Sequence, residues 1–585
     1  MLFSSLFAKT AEYEKLAHAL SAPGACALFG LPGSGRAMVY AALAKETGRF
    51  LCIVTPGEAE ATRFAGDLNA LGILTAVFPA RDYVLRPIES TAREYEYRRL
   101  SVLGDIVGGR LQAVCVPDEG LTQYTTPRAE FCNNTRTLHP GDTVPRTELT
   151  ALLYNAGYAR RAQVDGPGQF SIRGDIVDLY APDMKLPVRM EFWGDEIDTM
   201  HTFDLATQRR EDPIEKIYVS PAREVLFGSP AEAAELLRAF IKKFRGKKRT
   251  ALEACLATEL AQLDGGALPV NMDKYLAVRY PQPATLLDYF DDPLLVLEEP
   301  ASLREAERAT TYRRGEEISA LLQDGVLAAG LDNLYAENDY LWAQAANHRT
   351  ICAENFARSM PDIPLKDIVN APAHTLPAWG GEVTSLLEDL QPLCNGGAAV
   401  TVLAGTQRAA AGLAADLRTK GLLVTTDPDA APGAGLVQVL PGQLSAGCSV
   451  PFAKYALFTA RAFGISSTQK KKKRNKDALN SLSEIAVGDL VVHQNHGIGR
   501  YAGIQRMAVQ GVTKDYLRIE YDKKDVLYVP VTQLDLLSRY TAPNDSDNVK
   551  LSRLGGSDWA KTRKKVKAAT EQMAKELIEL YARRK

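Results

Sequence analysis

Ala25-Cys-Ala-Leu-Phe-Gly-Leu-Pro-Gly-Ser-Gly-Arg-Ala-Met-Val39 runs from an apolar strand pattern through a glycine-rich turn into a helical pattern. Gly30, Gly35, Arg36 and Ala37 fall on the four fixed positions of a phosphate-binding loop, G-x-x-x-x-G-K-[ST], with Gly33 inside it. The glycines are present, but the two chemical residues are not. Arg36 stands where a lysine should reach the phosphates, and a rigid guanidinium fork has a different reach. Ala37 stands where a hydroxyl should hold magnesium, and it has no ligand to offer. The stretch predicts the frame of a nucleotide-hydrolysing domain without its catalytic chemistry, and leaves the rest of the chain as docking surfaces on that frame.

A chain of 585 residues is too long for one core and predicts three to five domains. Its net charge of -2 means that any nucleic-acid contact must come from local patches. The eight cysteines are scattered singly with no C-x-x-C pair, which argues against a disulfide framework or a zinc site and suits a reducing cytoplasm. No run of about 18 apolar residues predicts a membrane span.

Outward from the glycine-rich turn, residues 1–120 alternate strand and helix, with strands over 25–29, 49–54, 74–78 and 111–116. That rhythm predicts a parallel, doubly wound sheet. Residues 121–212 change to short strand-like runs with glycine turns, a strand-rich insert containing Gln169–Tyr180 and Pro187–Asp198. Arg173, Arg189 and Trp193 are of the types that dominate protein–protein hot spots; on composition alone, Phe192 and Trp193 are expected in the core and the arginines in solvent. Residues 213–350 return to mixed helix and strand. There Pro293-Leu-Leu-Val-Leu-Glu-Glu-Pro300 has the form of a motor's second motif, a buried strand ending in two carboxylates. Glu298 takes the place of the magnesium-holding aspartate and is one methylene too long for it. Acidic residues at a strand end are the favoured reading of Glu298 and Glu299.

Residues 351–464 read as a further α/β domain, a spacer without a catalytic constellation. Residues 465–484, with Lys470-Lys-Lys-Lys-Arg-Asn-Lys476, read as a basic flexible linker. Residues 485–550 carry about five short strands with glycine turns, expected to close into a small barrel. His493 and His496 are three apart without a third ligand, so turn and core roles are expected. From 551 to 585 a helical pattern with a basic start breaks off without a cap, which leads us to expect that something follows.

Two of these segments are long and specific. Val487–Val531 resembles the RNA-polymerase-interacting, Tudor-like domain of the bacterial transcription-repair coupling factors, and Phe170–Arg210 resembles that family's domain similar to the repair helicase UvrB. The resemblance covers essentially the whole chain and implies a multidomain α/β architecture. Residues 1 to about 350 would be a UvrB-like module, with 1–120 as domain 1A, 121–212 as domain 2 and 213–350 as domain 1B. Domain 2 would recruit UvrA through the positions of Arg173, Arg189, Phe192 and Trp193. The barrel would bind the β subunit of RNA polymerase through Met507, with Ile504, Arg506 and Tyr528 beside it. The family's ATP- and magnesium-dependent motor, which would carry most of the contact with duplex DNA, would lie beyond residue 585. The segment between Tyr83 and Arg99 leads into a helix and is not expected to form UvrB's DNA-clamping hairpin.

Two classes of function compete at this point. One is a cytoplasmic, monomeric recruitment scaffold, with no turnover and no cofactor of its own. The other is a divergent helicase or nucleotidase that uses Glu298 and Glu299 despite the altered loop. A direct DNA-binding role through 470–476 and 561–567 is a third reading, and predicts weak, salt-sensitive binding.

Overall fold

The computed structural model describes residues 10–85, 93–205, 207–269, 271–460 and, further on, 488–493, 496–509, 512–522, 525–530, 537–539 and 551–552. The expected linker and C-terminal helix lie outside the described residues. The chain divides into two compact units, Met1–Phe463 and Gly464–Lys585.

The first unit is built on a seven-stranded parallel sheet. Four of its strands come early: β1 (Gly24–Phe29), β2 (Leu51–Thr55), β3 (Thr75–Val77) and β4 (Ala113–Pro117). The others come from far along the chain, and the order across the sheet is 365–370, β1, 349–354, 294–298, β2, β4, β3. β1, β2, β4 and Leu294–Glu298 are buried at every position. That burial explains their continuous apolar runs, because helices cover both faces of a parallel sheet. The helix Gly33–Thr47 is buried from Ser34 to Ala44. It shares a core with the sheet on one side and with Leu403, Leu444, Cys448, Tyr455 and Leu457 on the other. Those last residues lie on, or in the case of Leu444 beside, a second, six-stranded sheet with the order 374–376, 447–450, 455–459, 399–403, 436–440, 423–425. Asp67 ties the two layers together, its Oδ1 accepting from Ser445 N at 2.7 Å and its Oδ2 from Ser445 Oγ at 2.6 Å.

Between β4 and Leu294–Glu298 the chain builds a six-stranded, mainly antiparallel sheet with the order 210–213, 196–203, 188–193, 176–180, 169–173, 159–160. Its inner face is a compact core that includes Phe170, Val177, Leu179, Val188, Met190 and Phe192. A buried ionic knot joins this part to its neighbours. Glu224 accepts from Arg81 Nε at 3.1 Å and Arg99 Nε at 2.7 Å, and Arg81 also pairs with Asp273. Each charge has an opposite partner, the condition under which such burial is tolerated.

The second unit contains a five-stranded antiparallel sheet with the order 526–530, 512–520, 497–509, 490–493, 537–539. The expected strands are present, but the expected closed barrel is not seen: among the described residues the two edge strands do not pair. The core is small, made of Val491, Tyr501, Leu517, Ile519, Tyr521 and Val529. His493 lies buried on its strand with its ring 4.7 Å from that of His496.

Candidate functional sites

Three places carry the residues singled out by the sequence. The first is the C-terminal edge of the parallel sheet. Gly30 follows β1 with φ +88°, and a Cβ there would meet Ala371 O and the Pro372 backbone at 3.1 Å, so glycine is required twice over. The helix then starts at Gly33, three residues before Arg36, and Arg36 N donates to Pro32 O at 2.9 Å. In a phosphate cradle the loop amides converge on the ligand; here the amide at position 36 is spent inside the helix. Gly33 packs against the Arg63 guanidinium, Gly35 lies against Leu31 and Pro32, and Ala37 is a core methyl.

The Arg36 side chain fills the place in front of this turn. It is 2% exposed. Nη1 lies 2.5 Å from Glu298 Oε2, Nη2 lies 2.7 Å from Glu299 Oε1 and 2.9 Å from Asn355 Oδ1, and Nε donates to Leu31 O at 2.8 Å. Tyr40 donates its hydroxyl to the other oxygen of Glu298 at 2.6 Å. Burial pushes the Glu298 carboxyl above its ordinary value, opposed first by Arg36 and then by Tyr40. Burial alone would lower Arg36, and Glu298, Tyr40 and Glu299 together more than reverse it, so the guanidinium stays charged. Glu299 holds its place in the left-handed region, φ 51° and ψ 66°, a conformation that costs a non-glycine residue on the order of 1–3 kcal/mol. Both carboxylates expected of a magnesium site are therefore bridged by an internal cation, and Ala37 adds no ligand. Among the described residues no group of three or more His, Cys, Asp or Glu is placed to hold a metal ion.

Tyr40 and Asn355 had no part in the sequence expectation. Tyr40 follows Arg36 by four residues, the spacing of one helix face, and could have been found. Asn355 is far away in the chain and carried no signal.

The second place is the outer face of the six-stranded sheet. Asp178 lies directly across the ladder from Arg189, and Arg173 is two residues from its other cross-strand neighbour, Ser171. The carboxylate of Asp178 is buried and accepts from Arg173 Nη2 at 2.6 Å, Arg189 Nε at 2.7 Å and Arg189 Nη2 at 2.9 Å. Phe192 points into the core, as expected. Trp193 does not: it is 82% exposed, at the turn where Gly194 has φ +64°. Strand alternation sends successive side chains to opposite faces, so only one of the two rings can be core. Arg189 also departs from expectation, because it is largely enclosed instead of being in solvent.

The third place is the second unit's sheet. Ile504, Arg506 and Met507 lie on Gly497–Val509, with Leu517, Asp515 and Lys514 as their cross-strand partners. Their side chains are outside the described residues. Tyr528 lies on Val526–Pro530, is partly exposed, and donates to Gln505 Oε1 at 3.2 Å.

The second and third of these places lie within matched families. Residues 137–225 match the family described as the UvrB interaction domain, and residues 485–541 match the CarD-like/TRCF RID domain. The whole chain has relatives as well. It is 29% identical over 573 residues to the transcription-repair-coupling factor of Bacillus subtilis (strain 168), covering 95% of this chain and 48% of the relative. It is 27% identical, with the same coverage, to the transcription-repair-coupling factors of Staphylococcus aureus (strain MRSA252) and Staphylococcus haemolyticus (strain JCSC1435). The chain is a relative of the transcription-repair-coupling factors. It spans about half the length of the curated relatives it matches. No helix among the described residues is long and apolar enough to cross a membrane.

Proposed function

We propose that this chain is the recruiting part of a transcription-repair coupling factor. Residues 137–225 dock UvrA, residues 485–541 dock the β subunit of RNA polymerase, and the parallel-sheet lobe is the frame that carries the first of these surfaces. The observation that carries the reading is the occurrence of a UvrB interaction domain and a TRCF RID domain on one chain. The intact factor would be an ATP-driven translocase on duplex DNA that displaces stalled polymerase and brings repair proteins to the lesion. It would act in the cytoplasm, with this part a monomer.

The lobe itself binds no magnesium–nucleotide on this reading. Arg36 fills the place in front of the glycine turn and pairs with both Glu298 and Glu299. A helicase or nucleotidase working through those two carboxylates is disfavoured for the same reason. The second unit, a Tudor-like module, would use Met507 as its apolar contact, with Ile504, Arg506 and Tyr528 around it.

The test is a parallel binding assay of the chain against UvrA and against the polymerase β subunit, each with and without ATP. Binding to both partners, unaffected by ATP and without phosphate release, is expected. Failure to bind either partner would overturn the scaffold reading.

A further inference from the structure

The basic runs at 470–476 and 561–567 lie outside the described residues. A third run lies inside the first unit. Two helices, Pro230–Lys242 and Gly246–Asp264, form a hairpin joined by three residues, and both send side chains into one core through Leu237, Ile241, Leu252 and Leu256. The tip of the hairpin reads Lys242-Lys-Phe-Arg-Gly-Lys-Lys-Arg249. It holds six cations and no carboxylate, and all six are exposed. Arg249 pairs with Glu253 at 2.8 Å. Among the described residues the other five have no ion-pair partner.

These charges do not serve the fold. The start of a helix carries partial positive charge and favours acidic residues. Yet Gly246–Asp264 has no acidic residue in its first turn, where Lys247, Lys248 and Arg249 stand instead, and its N-cap, Arg245, makes no side-chain cap bond. Other contacts fix the shape of the tip. Lys243 N donates to Phe240 O at 3.0 Å, and Phe244 N to Ile241 O at 3.1 Å. The Phe244 ring turns inward, its centre 5.2 Å from that of Phe240. Its far end lies over Gly330, where φ is +96° and a Cβ would meet Phe244 Cζ at 2.7 Å. The backbone of the tip is thus anchored, and the charged side chains stand out from it.

We propose that this hairpin tip is a docking surface for the phosphate backbone of duplex DNA. It would give the first unit a nucleic-acid contact of its own, in addition to the protein partners of the recruitment reading and independent of them. The argument is charge complementarity. Duplex DNA carries about one negative charge per 1.7 Å of its axis. Cations on the ends of two packed helices, whose axes lie about 8–10 Å apart, meet several of those charges at once. The whole chain has a net charge of -2, so the attraction is local to the tip. A single strand fits less well. Proteins that hold single strands offer aromatic rings for the bases to stack on, and the one ring of the tip, Phe244, faces the core. Lysine and arginine contacts to phosphate position a duplex without reading its sequence.

The experiment uses the full chain and three probes: a short fluorescent duplex of arbitrary sequence, its single strand, and poly-glutamate. Binding is read by anisotropy across a salt series. Lys243→Gln/Lys247→Gln/Lys248→Gln is expected to weaken duplex binding at least tenfold at low salt and to lower the slope of log affinity on log salt by about 2–3. Its melting temperature is expected to be unchanged or raised, because the charges oppose the helix start. The control Lys185→Gln/Arg408→Gln/Lys420→Gln removes three exposed cations elsewhere in the first unit and is expected to change duplex affinity by less than about twofold. An equal loss in the control would mean attraction by net charge alone and would overturn the proposal. So would unchanged affinity in the tip variant, or no duplex binding by the unaltered chain at low salt. Tip-dependent binding as tight for the single strand or poly-glutamate as for the duplex would overturn the choice of partner. A lowered melting temperature in the tip variant would assign the run to the fold and overturn the surface.

Discussion

Arg36 and Tyr40, one turn apart on the same helix, end on the two oxygens of a single carboxylate, that of Glu298. Glu298 therefore has a positive partner on one side and a hydroxyl donor on the other, in a site closed to water. The same guanidinium continues to Glu299 and Asn355. Where a motor would open its loop to a phosphate, this lobe closes it with a side chain.

Removing that side chain leaves the buried Glu298 carboxylate without its cation, beside the partly exposed Glu299. Arg36→Ala is expected to destabilise the first unit by about 3–5 kcal/mol, read as a lowered urea midpoint for that unit. Glu298→Gln should cost less, because a neutral amide can still accept from Arg36.

Restoring the loop's chemical residues should not restore turnover. In Arg36→Lys/Ala37→Thr the helix still begins at Gly33, the amide at 36 still bonds Pro32 O, and the new ammonium pairs with Glu298. Phosphate release from ATP is expected to stay at background. Turnover above background in the double variant would overturn the inert-lobe reading.

Trp193 projects from a turn and packs against little, so its loss should not be felt by the fold. Trp193→Ser is expected to change stability by less than about 0.5 kcal/mol. A buried aromatic anchor in an interface is commonly worth 2 kcal/mol or more, so UvrA affinity should fall at least tenfold. The indole should also be strongly quenched by iodide in the free chain and protected in the complex.

Asp118, at the end of β4, is buried, and its Oδ1 has no hydrogen-bond partner. Burial first, and Glu307 second, push its carboxyl up to about 7, with Glu119 adding to this and Arg314 and Arg304 opposing. The folded chain thus keeps a proton that the unfolded chain releases near pH 4. Stability from this group is full below pH 4 and is lost as pH rises through 7. Asp118→Asn is expected to raise the melting temperature at pH 8, by the equivalent of about 1–3 kcal/mol, and to have a smaller effect at pH 5.

His493 has the opposite sign. Burial, and next the neighbouring His496, lower it to about 4, so the folded ring is neutral while the unfolded ring takes a proton near 6.5. The second unit should lose stability as pH falls from 6.5 toward 4. His493→Phe should flatten that dependence in thermal melts taken across the window.

Much of this was readable from local pattern. β1 and Leu294–Glu298 are legible because strands buried on both faces must be continuously apolar, and the helix Gln407–Thr419 because its apolar positions recur on one face. The altered loop was legible too, since Arg36 and Ala37 stand at fixed positions. What lay beyond reach was pairing between distant residues. Nothing around Arg36 announces Asn355. Trp193 was misplaced because composition treats two adjacent aromatic residues alike, whereas strand parity separates them. The closed barrel was over-read: a count of strands and glycine turns fixes neither shear nor closure.

The route of the chain through the seven-stranded sheet has a consequence for its birth on the ribosome. Among the described strands β1 pairs with 349–354 on one edge and 365–370 on the other, so both edges stay bare until residue 354 has emerged and one of them until residue 370. At a synthesis rate of about 5–20 residues per second, that wait is on the order of tens of seconds. Through that interval an apolar strand lacks its native neighbours, and its bare edges are open to pairing with other chains.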